Sequence, residues 1–141
     1  MKKNRVNEGM IFCIPLVESK YAIGIVLHVS KLFKRSIIVG FFERIIDELE
    51  DAKLLSVDSA FITTPNYTGQ QMLRDGDWPI VDMRPDIAVK ATIPHLRAGR
   101  NIFFKDERVE EDSKDWKLYE PIVSSGMYAV ERKLRRHFGL E

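Results

Sequence analysis

The sequence predicts an α+β protein of one domain, built on a curved, mainly antiparallel β-sheet with a C-terminal helix and a few short helical segments. Three apolar segments rich in β-branched and aromatic residues follow one another near the start of the chain. An amphipathic pattern with helical spacing closes the chain, and its 141 residues suit one domain better than two. We therefore expect residues 1–141 to form a single domain, whose sheet could curve far enough to resemble a barrel.

The three apolar segments are predicted as strands over residues 9–16, 20–29 and 36–42. The links between them are shorter than the crossover of about a dozen residues that parallel pairing requires, so we expect an antiparallel meander. Pro15 has no backbone N–H and should lie at a strand end or at an edge. Gly24 predicts a bend, or a place where another group approaches the backbone closely.

The middle of the chain carries weaker signals. Residues 43–55 space their apolar side chains as a short helix would, although the third strand could also extend into them. The remaining predictions are strands over 59–64, 78–83 and 101–105, a helical turn over 66–74, and loops over 84–100 and 106–115. Both loops are predicted from composition, because prolines and a glycine interrupt the first and charged residues dominate the second.

The last helix is predicted over residues 125–138. Its apolar side chains recur every three or four positions, at Met127, Val130, Leu134 and Phe138. Ser124 or Ser125 can provide the N-cap, and Gly139 can end the helix.

The charge balance restricts the class of partner. Lys and Arg total 22 and Asp and Glu total 21, so the chain lacks the cationic excess on which general nucleic-acid binding depends. The single Cys13 cannot form an internal disulfide. The basic residues within 1–9 are not followed by an uninterrupted apolar segment of signal-peptide or membrane-span length. We expect a soluble cytoplasmic protein without a membrane partner.

The histidines and the cysteine match no catalytic or zinc-binding pattern. His28, His95 and His137 are far apart in sequence, and none has zinc-ligand spacing. We expect His28 to be a hydrogen-bonded structural residue in its strand and His137 to interact with the end of the last helix. His95 is then the one histidine to test. Cys13 lies in an apolar strand, where thiols are usually inert.

Four carboxylates crowd one region, at Asp75, Asp77, Asp82 and Asp86. They lack the spacing and the closing Glu of a calcium-binding loop, and turn formation accounts for the first two. The sequence also contains neither a glycine-rich phosphate-binding motif nor a nucleophile elbow. We predict that the protein is not an enzyme and requires no metal or organic cofactor.

Two charged segments allow either a structural or a functional interpretation. Arg132, Lys133, Arg135 and Arg136 lie near the end of the last helix, where the helix dipole favours cations, although they could also form a binding patch. Residues 106–112 are mostly acidic, as solvated loops often are, but an acidic surface would also suit a basic protein partner.

The order of several short motifs resembles one known family. Residues 9–16 (GMIFCIPL) followed by 21–26 (YAIGIV) are similar to the opening of the immunity protein 26 family of bacterial polymorphic toxin systems. Residues 76–81 (GDWPIV) and 93–97 (IPHLR) resemble later segments of the same family. The resemblance covers roughly residues 7–105, with Asp82 standing where a glycine is expected.

This resemblance implies an immunity protein, or antitoxin, that binds and neutralises a cognate protein toxin without chemistry of its own. It carries over no functional residue. We predict that part of the toxin-binding surface consists of the acidic residues Asp106, Glu107, Glu110, Glu111 and Asp112. Aromatic and arginine side chains often anchor interfaces, and the candidates are Trp78, Trp116, Tyr119, Arg84, Arg97 and Arg100, although each Trp also suits a core.

Two other functions remain open from the sequence. The first alternative is a small β-barrel nucleic-acid-binding module, in which Tyr21, Phe41, Phe103 and Phe104 would present rings for base stacking. The second is an enzyme, which would require two titratable groups that converge in a deep pocket.

Overall fold

Alternating apolar side chains build the first sheet. The computed structural model describes residues 5–141; residues 1–4, part of the N-terminal stretch inspected for a signal peptide, lie outside the described residues. The first three strands are β1 (Met10–Val17), β2 (Lys20–Val29) and β3 (Ser36–Ile46). Each pairs antiparallel with the next, which confirms the predicted meander.

Two shorter strands complete this sheet. β4 (Asn66–Gly69) pairs antiparallel with β3, and β5 (Ile80–Met83) pairs antiparallel with β1, in the order β4-β3-β2-β1-β5. β5 reaches only as far as Phe12 along β1, so Pro15 lies where β1 has β2 as its one neighbour. A proline without an N–H is tolerated at such an edge, as the sequence predicted.

Both faces of the first sheet are buried, because odd and even positions of its central strands are apolar. Side chains of α1 (Gln71–Asp75) and α3 (Met127–His137) pack against one face. The opposite face packs against a 3-10 helix (Leu49–Leu54) and against α2 (Pro85–Lys90). Burial on both faces explains why the central strands are almost continuously apolar.

A second, smaller sheet contains β6 (Leu96–Ala98), β7 (Asn101–Phe104), β8 (Glu107–Glu110) and β9 (Glu120–Pro121), in the order β8-β7-β6-β9. Its pairs are antiparallel except that of β6 with β9. Leu96 packs into the core on the α2 side of the first sheet. The first sheet does not close, because its two edge strands, β4 and β5, do not pair with each other. The α+β class is confirmed, and the barrel-like expectation was wrong.

Helix α3 begins at Met127, two residues later than predicted. Gly126 occupies the N-cap position without a side-chain hydrogen bond, so the expected serine cap was wrong. Ser125 instead forms a bridge with Thr68 of β4, and the Thr68 hydroxyl donates to the Ser125 carbonyl at 2.7 Å. This extended contact prevents the helix from starting earlier.

The C-terminal end of α3 agrees with the prediction. Gly139 has a φ of 72°, which a residue without a Cβ adopts easily. Its amide donates to the Arg136 carbonyl, and the amide of Leu140 donates to Arg135. These two bonds close the helix in the pattern that a C-terminal glycine permits.

Several predictions for the middle of the chain were wrong in extent. β3 extends to Ile46, which leaves only the 3-10 helix of the predicted helix over 43–55. The predicted loop over 84–100 contains α2 and β6, because Pro85 lies in the first turn of α2, where a proline is tolerated. The predicted loop over 106–115 contains β8, whose backbone pairs with β7. Residues 66–74 divide into β4 and α1, while 59–64 contribute an isolated bridge between Phe61 and Phe42.

Candidate protein-binding surface

The hairpin of β7 and β8, with the turn at 105–106 and the residues that follow to 112, carries the acidic side chains singled out from the sequence. All residues from Glu107 to Asp112 are exposed. β8 lies at the edge of the second sheet, so its charged side chains extend into solvent rather than into a core. We refer to residues 101–112 as the acidic hairpin.

Asp106 lies in the turn of this hairpin and has an internal role. Its Oδ1 accepts a hydrogen bond from the Ser30 hydroxyl at 2.6 Å, and its Oδ2 accepts one from the Lys31 amide at 2.7 Å. Partial burial acts to raise the pKa of Asp106, but its interactions with Lys31, Ser30 and His28 outweigh burial and lower the pKa. The carboxylate therefore fixes the hairpin turn to the loop after β2.

His28 is the third neighbour of Asp106. Its Nε2 lies 3.1 Å from Oδ2 of Asp106, and its Nδ1 lies 3.4 Å from Oε1 of Glu8. The Nε2 atom is buried, and the carboxylate is poorly aligned for a hydrogen bond despite the short distance. His28 therefore lies between two carboxylates, but its buried Nε2 makes no hydrogen bond to any described residue, so the hydrogen-bonded role expected of it was wrong at this atom.

Aromatic residues also hold the hairpin turn in place. The Tyr67 hydroxyl donates to the Lys105 carbonyl at 2.7 Å, and burial, with the charge of Asp106, raises the pKa of Tyr67 to about 12. The ring of Phe33 packs against those of Tyr67 and Phe103, with centroids 5.2 and 6.0 Å apart. The turn is thus fixed by both polar and apolar contacts.

The other four predicted carboxylates differ in their surroundings. Glu111 lies 3.9 Å from Arg108, and Asp112 lies 3.6 Å from Arg100. Among residues 5–141, Glu107 and Glu110 have no cationic partner within ion-pair distance. Glu107 and Glu110 are therefore the carboxylates of the acidic hairpin whose charge no described cation offsets.

Three of the four cations at the basic end of α3 lie near one carboxylate, that of Glu141. Glu141 lies 3.1 Å from Arg132, 2.8 Å from Arg135 and 3.8 Å from Arg136. The hydrogen bond from Arg135, partly opposed by desolvation and reinforced by Arg132, lowers the pKa of Glu141. These contacts support the structural interpretation of the basic residues, with Lys133 left exposed.

The remaining titratable candidates do not converge. His95 is exposed and lies against the ring of Phe104, with centroids 4.9 Å apart. His137 lies 2.6 Å from Glu43. Burial raises the pKa of the Cys13 thiol to about 11, which agrees with an inert side chain. In the part of the chain that the structure describes, no group of three or more His, Cys, Asp or Glu is arranged to hold a metal ion.

The candidate anchors divide between core and surface. Trp78 is fully buried, stacks on Phe12 with centroids 5.7 Å apart, and donates from Nε1 to Glu131 at 3.0 Å. Arg84 binds both carboxylate oxygens of Asp86 and the Leu55 carbonyl. Trp78 and Arg84 therefore stabilise the fold and are not surface anchors.

Trp116 and its neighbours form a second, partly exposed cluster. The Arg97 guanidinium lies 4.8 Å from the centre of the Trp116 ring, and its Nε donates to the Tyr119 carbonyl at 3.0 Å. This cluster lies near β9, at the edge of the second sheet opposite β8. Two strands, β6 and β7, therefore lie between β9 and the acidic strand β8.

Two surface grooves flank α2. One has a volume of about 740 Å³ and is lined mainly by residues 57–65 and by Ile87, Lys90 and Ala91. The other, of about 520 Å³, extends from α2 to Phe104 and Lys105 at the turn of the acidic hairpin. Val89 of α2 is 84% exposed beside the second groove. The prolines and the glycine of residues 84–100 led to the prediction of a loop where α2 lies. Pro85 followed by Asp86 is nevertheless a recognisable helix start.

The four rings considered for nucleic-acid stacking do not share one face. Tyr21 packs toward the α2 side of the first sheet and Phe41 toward the α3 side. Phe103 and Phe104 belong to the second sheet, where Phe103 packs edge-on against Phe33. This separation disfavours a stacking platform.

Within residues 5–141, no helix combines the length and the apolar character that crossing a membrane requires.

Comparison with known proteins gives one match. A family model described as immunity protein 26 matches residues 7–98, which is more than half of the chain and contains the first sheet, α2 and β6. No curated protein matches the chain. No solved structure matches it either.

Proposed function

The chain belongs to the immunity protein 26 family, and from this membership we propose that it binds a cognate protein toxin and neutralises it. The proposed mechanism is stoichiometric binding in the bacterial cytoplasm, as part of a polymorphic toxin system. The chain catalyses no reaction in this mechanism and uses no cofactor. Its task is to present a stable surface that blocks the toxin.

The acidic hairpin is the surface that we propose for toxin binding, because its side chains are exposed while its backbone is held in place. Glu107, Arg108, Val109 and Glu110 are all exposed, so β8 contributes little to the core. The hairpin is nevertheless held at both ends. Asp106 binds Ser30 and Lys31 at the turn, and at the other end the amide of Asp112 donates to Asn101 Oδ1 at 3.0 Å.

An ordered, exposed strand suits recognition. A surface that is already rigid loses little conformational entropy when a partner binds, so more of the contact energy appears as affinity. Of the five acidic residues predicted for the interface, the proposal keeps Glu107, Glu110, Glu111 and Asp112 as partner contacts. Asp106 acts by holding the turn in place.

The carboxylates of Glu107 and Glu110 would attract a basic toxin. Charges at the edge of an interface mainly raise the association rate, and salt screens their effect. A nuclease-like toxin with a cationic surface fits this arrangement. A buried apolar anchor elsewhere could still supply most of the affinity.

The decisive experiment is co-expression of the chain with the toxin encoded beside it, followed by isothermal titration of the purified pair. We expect the cells to survive and the two proteins to bind with one-to-one stoichiometry. Loss of protection together with the absence of a measurable complex would refute the immunity function. Full protection and unchanged affinity after reversal of Glu107 and Glu110 would refute only the role of the hairpin.

A further inference from the structure

The smaller groove beside α2 lies next to the acidic hairpin. We propose that this groove is the apolar anchor point of the toxin interface, and that it receives an apolar side chain of the toxin flanked by lysine or arginine. The proposal deepens the function proposed above and rests on it. We refer to this groove of about 520 Å³ as the α2 groove.

The walls of the α2 groove are largely apolar. Leu27 of β2, Ala88 and Val89 of α2, Ile93 and Phe104 line it. The volume of the groove, about 520 Å³, exceeds that of one large aliphatic or aromatic side chain. Residues that anchor interfaces are generally large side chains inserted into pockets of this kind.

The charged residues around the α2 groove favour particular neighbours for the toxin side chain that it would receive. Glu8 lines the groove and its carboxylate is 56% exposed. Glu107 is paired directly with Phe104 across β7 and β8, so its side chain lies on the same face of the hairpin as this groove residue. One cation, Lys105, also lines the groove. The groove thus has one carboxylate, Glu8, in its wall and a second, Glu107, on the neighbouring face of the hairpin. This arrangement complements an apolar side chain that has a cation beside it.

Hydrogen bonds and ion pairs fix the backbone on both sides of the α2 groove. Arg84 binds Asp86 and the Leu55 carbonyl, which fixes the start of α2. Lys105 has a φ of 55°, a left-handed backbone conformation that is unfavourable for residues other than glycine. The Tyr67 hydroxyl bound to its carbonyl helps to hold this conformation. Both ends of the groove are therefore preorganised.

The test replaces Val89 with arginine and measures binding of the isolated toxin domain by titration calorimetry. Val89 is 84% exposed, so Val89→Arg should leave the melting temperature unchanged. The matched control is Tyr128→Arg, since Tyr128 is 79% exposed on α3, across the first sheet from α2. A single exposed apolar residue is common on protein surfaces, and this control separates the groove from that background.

We expect Val89→Arg to weaken the Kd at least tenfold, roughly what loss of an interface anchor costs, and Tyr128→Arg to change it less than about twofold. If wild-type protein binds and protects while Val89→Arg binds equally well, the groove proposal is overturned and the immunity function stands. If wild-type protein neither binds nor protects, both fail. A dimer of this chain alone that Val89→Arg dissociates would make a second copy the occupant and overturn the proposal.

Discussion

The hydroxyl of Ser30 donates a hydrogen bond to the carboxylate of Asp106 at 2.6 Å, although 76 residues separate them in sequence. This bond joins the turn of the acidic hairpin to the loop that follows β2. The Lys31 amide adds a second bond to the same carboxylate at 2.7 Å. One partly buried acidic side chain therefore supplies two of the contacts that orient the hairpin.

Replacement of Asp106 by alanine should lower the free energy of unfolding. The change removes two charge-assisted hydrogen bonds and leaves the Ser30 hydroxyl without its acceptor, at a cost of about 1–3 kcal/mol. Urea denaturation of the purified protein measures the loss. Glu107→Ala is the control, because this exposed side chain should change stability by less than about 0.5 kcal/mol. Equal stability of the two variants would contradict the role given to Asp106.

The same carboxylate predicts a dependence of stability on pH. The pKa of Asp106 in the folded protein lies below its ordinary value of 3.8, so the folded state binds this proton more weakly than the unfolded state. Its contribution is therefore complete above the unfolded pKa and is lost as pH falls through the folded pKa. We expect the stability difference between wild type and Asp106→Asn to be constant near neutral pH and to narrow below about pH 4. A difference that widens on acidification would reverse this assignment.

Gly24 provides a test of packing in the first sheet. A Cβ at this position would lie 2.4 Å from the ring of Phe12, which is fully buried and stacked on Trp78. Because both rings are fully buried and stacked, an added Cβ should force them to repack, and Gly24→Ala should destabilise the protein by about 1–3 kcal/mol. Thermal and urea unfolding measure the effect.

The matched control for Gly24 is Gly69, which also lies in a strand and has no atom within 4 Å of the point that an added Cβ would occupy. Gly69→Ala should remain within about 0.5 kcal/mol of wild type. If both substitutions proved harmless, the close approach of Phe12 to β2 would be incorrect.

The central strands were predictable because their signal is local. Apolar residues such as Ile23 and Val26 continue along β2 with few interruptions, and short links leave antiparallel pairing as the available arrangement. The close approach at Gly24 followed from the absence of a side chain in an otherwise bulky strand. These features depend on residues that are neighbours in sequence.

The candidate site was only partly predictable, because it depends on distant residues. β8 has one apolar residue, Val109, so no periodic pattern reveals a strand that exists through its pairing with β7. The position of Asp106 depends on Ser30 and His28, and no local pattern encodes that contact. Composition singled out Glu107 and Glu110 together with the other carboxylates, but it could not show which of these side chains have cationic partners.

Reversal of Glu107 and Glu110 to lysine should slow association with the toxin. These two carboxylates have no cationic partner among the residues described, so their field is available to a basic surface. At low salt the association rate should fall about tenfold or more, and the difference should shrink when added salt shortens the screening length to roughly 3 Å near 1 M. Stopped-flow or surface-plasmon measurements at several salt concentrations separate this effect from dissociation. The control is the double variant Glu18→Lys and Asp77→Lys, which changes the net charge by the same amount at two exposed positions. Glu18 follows the end of β1 that is far from Gly9 and α2. Association that slows equally in both double variants would show that net charge, and not the acidic hairpin, steers the toxin.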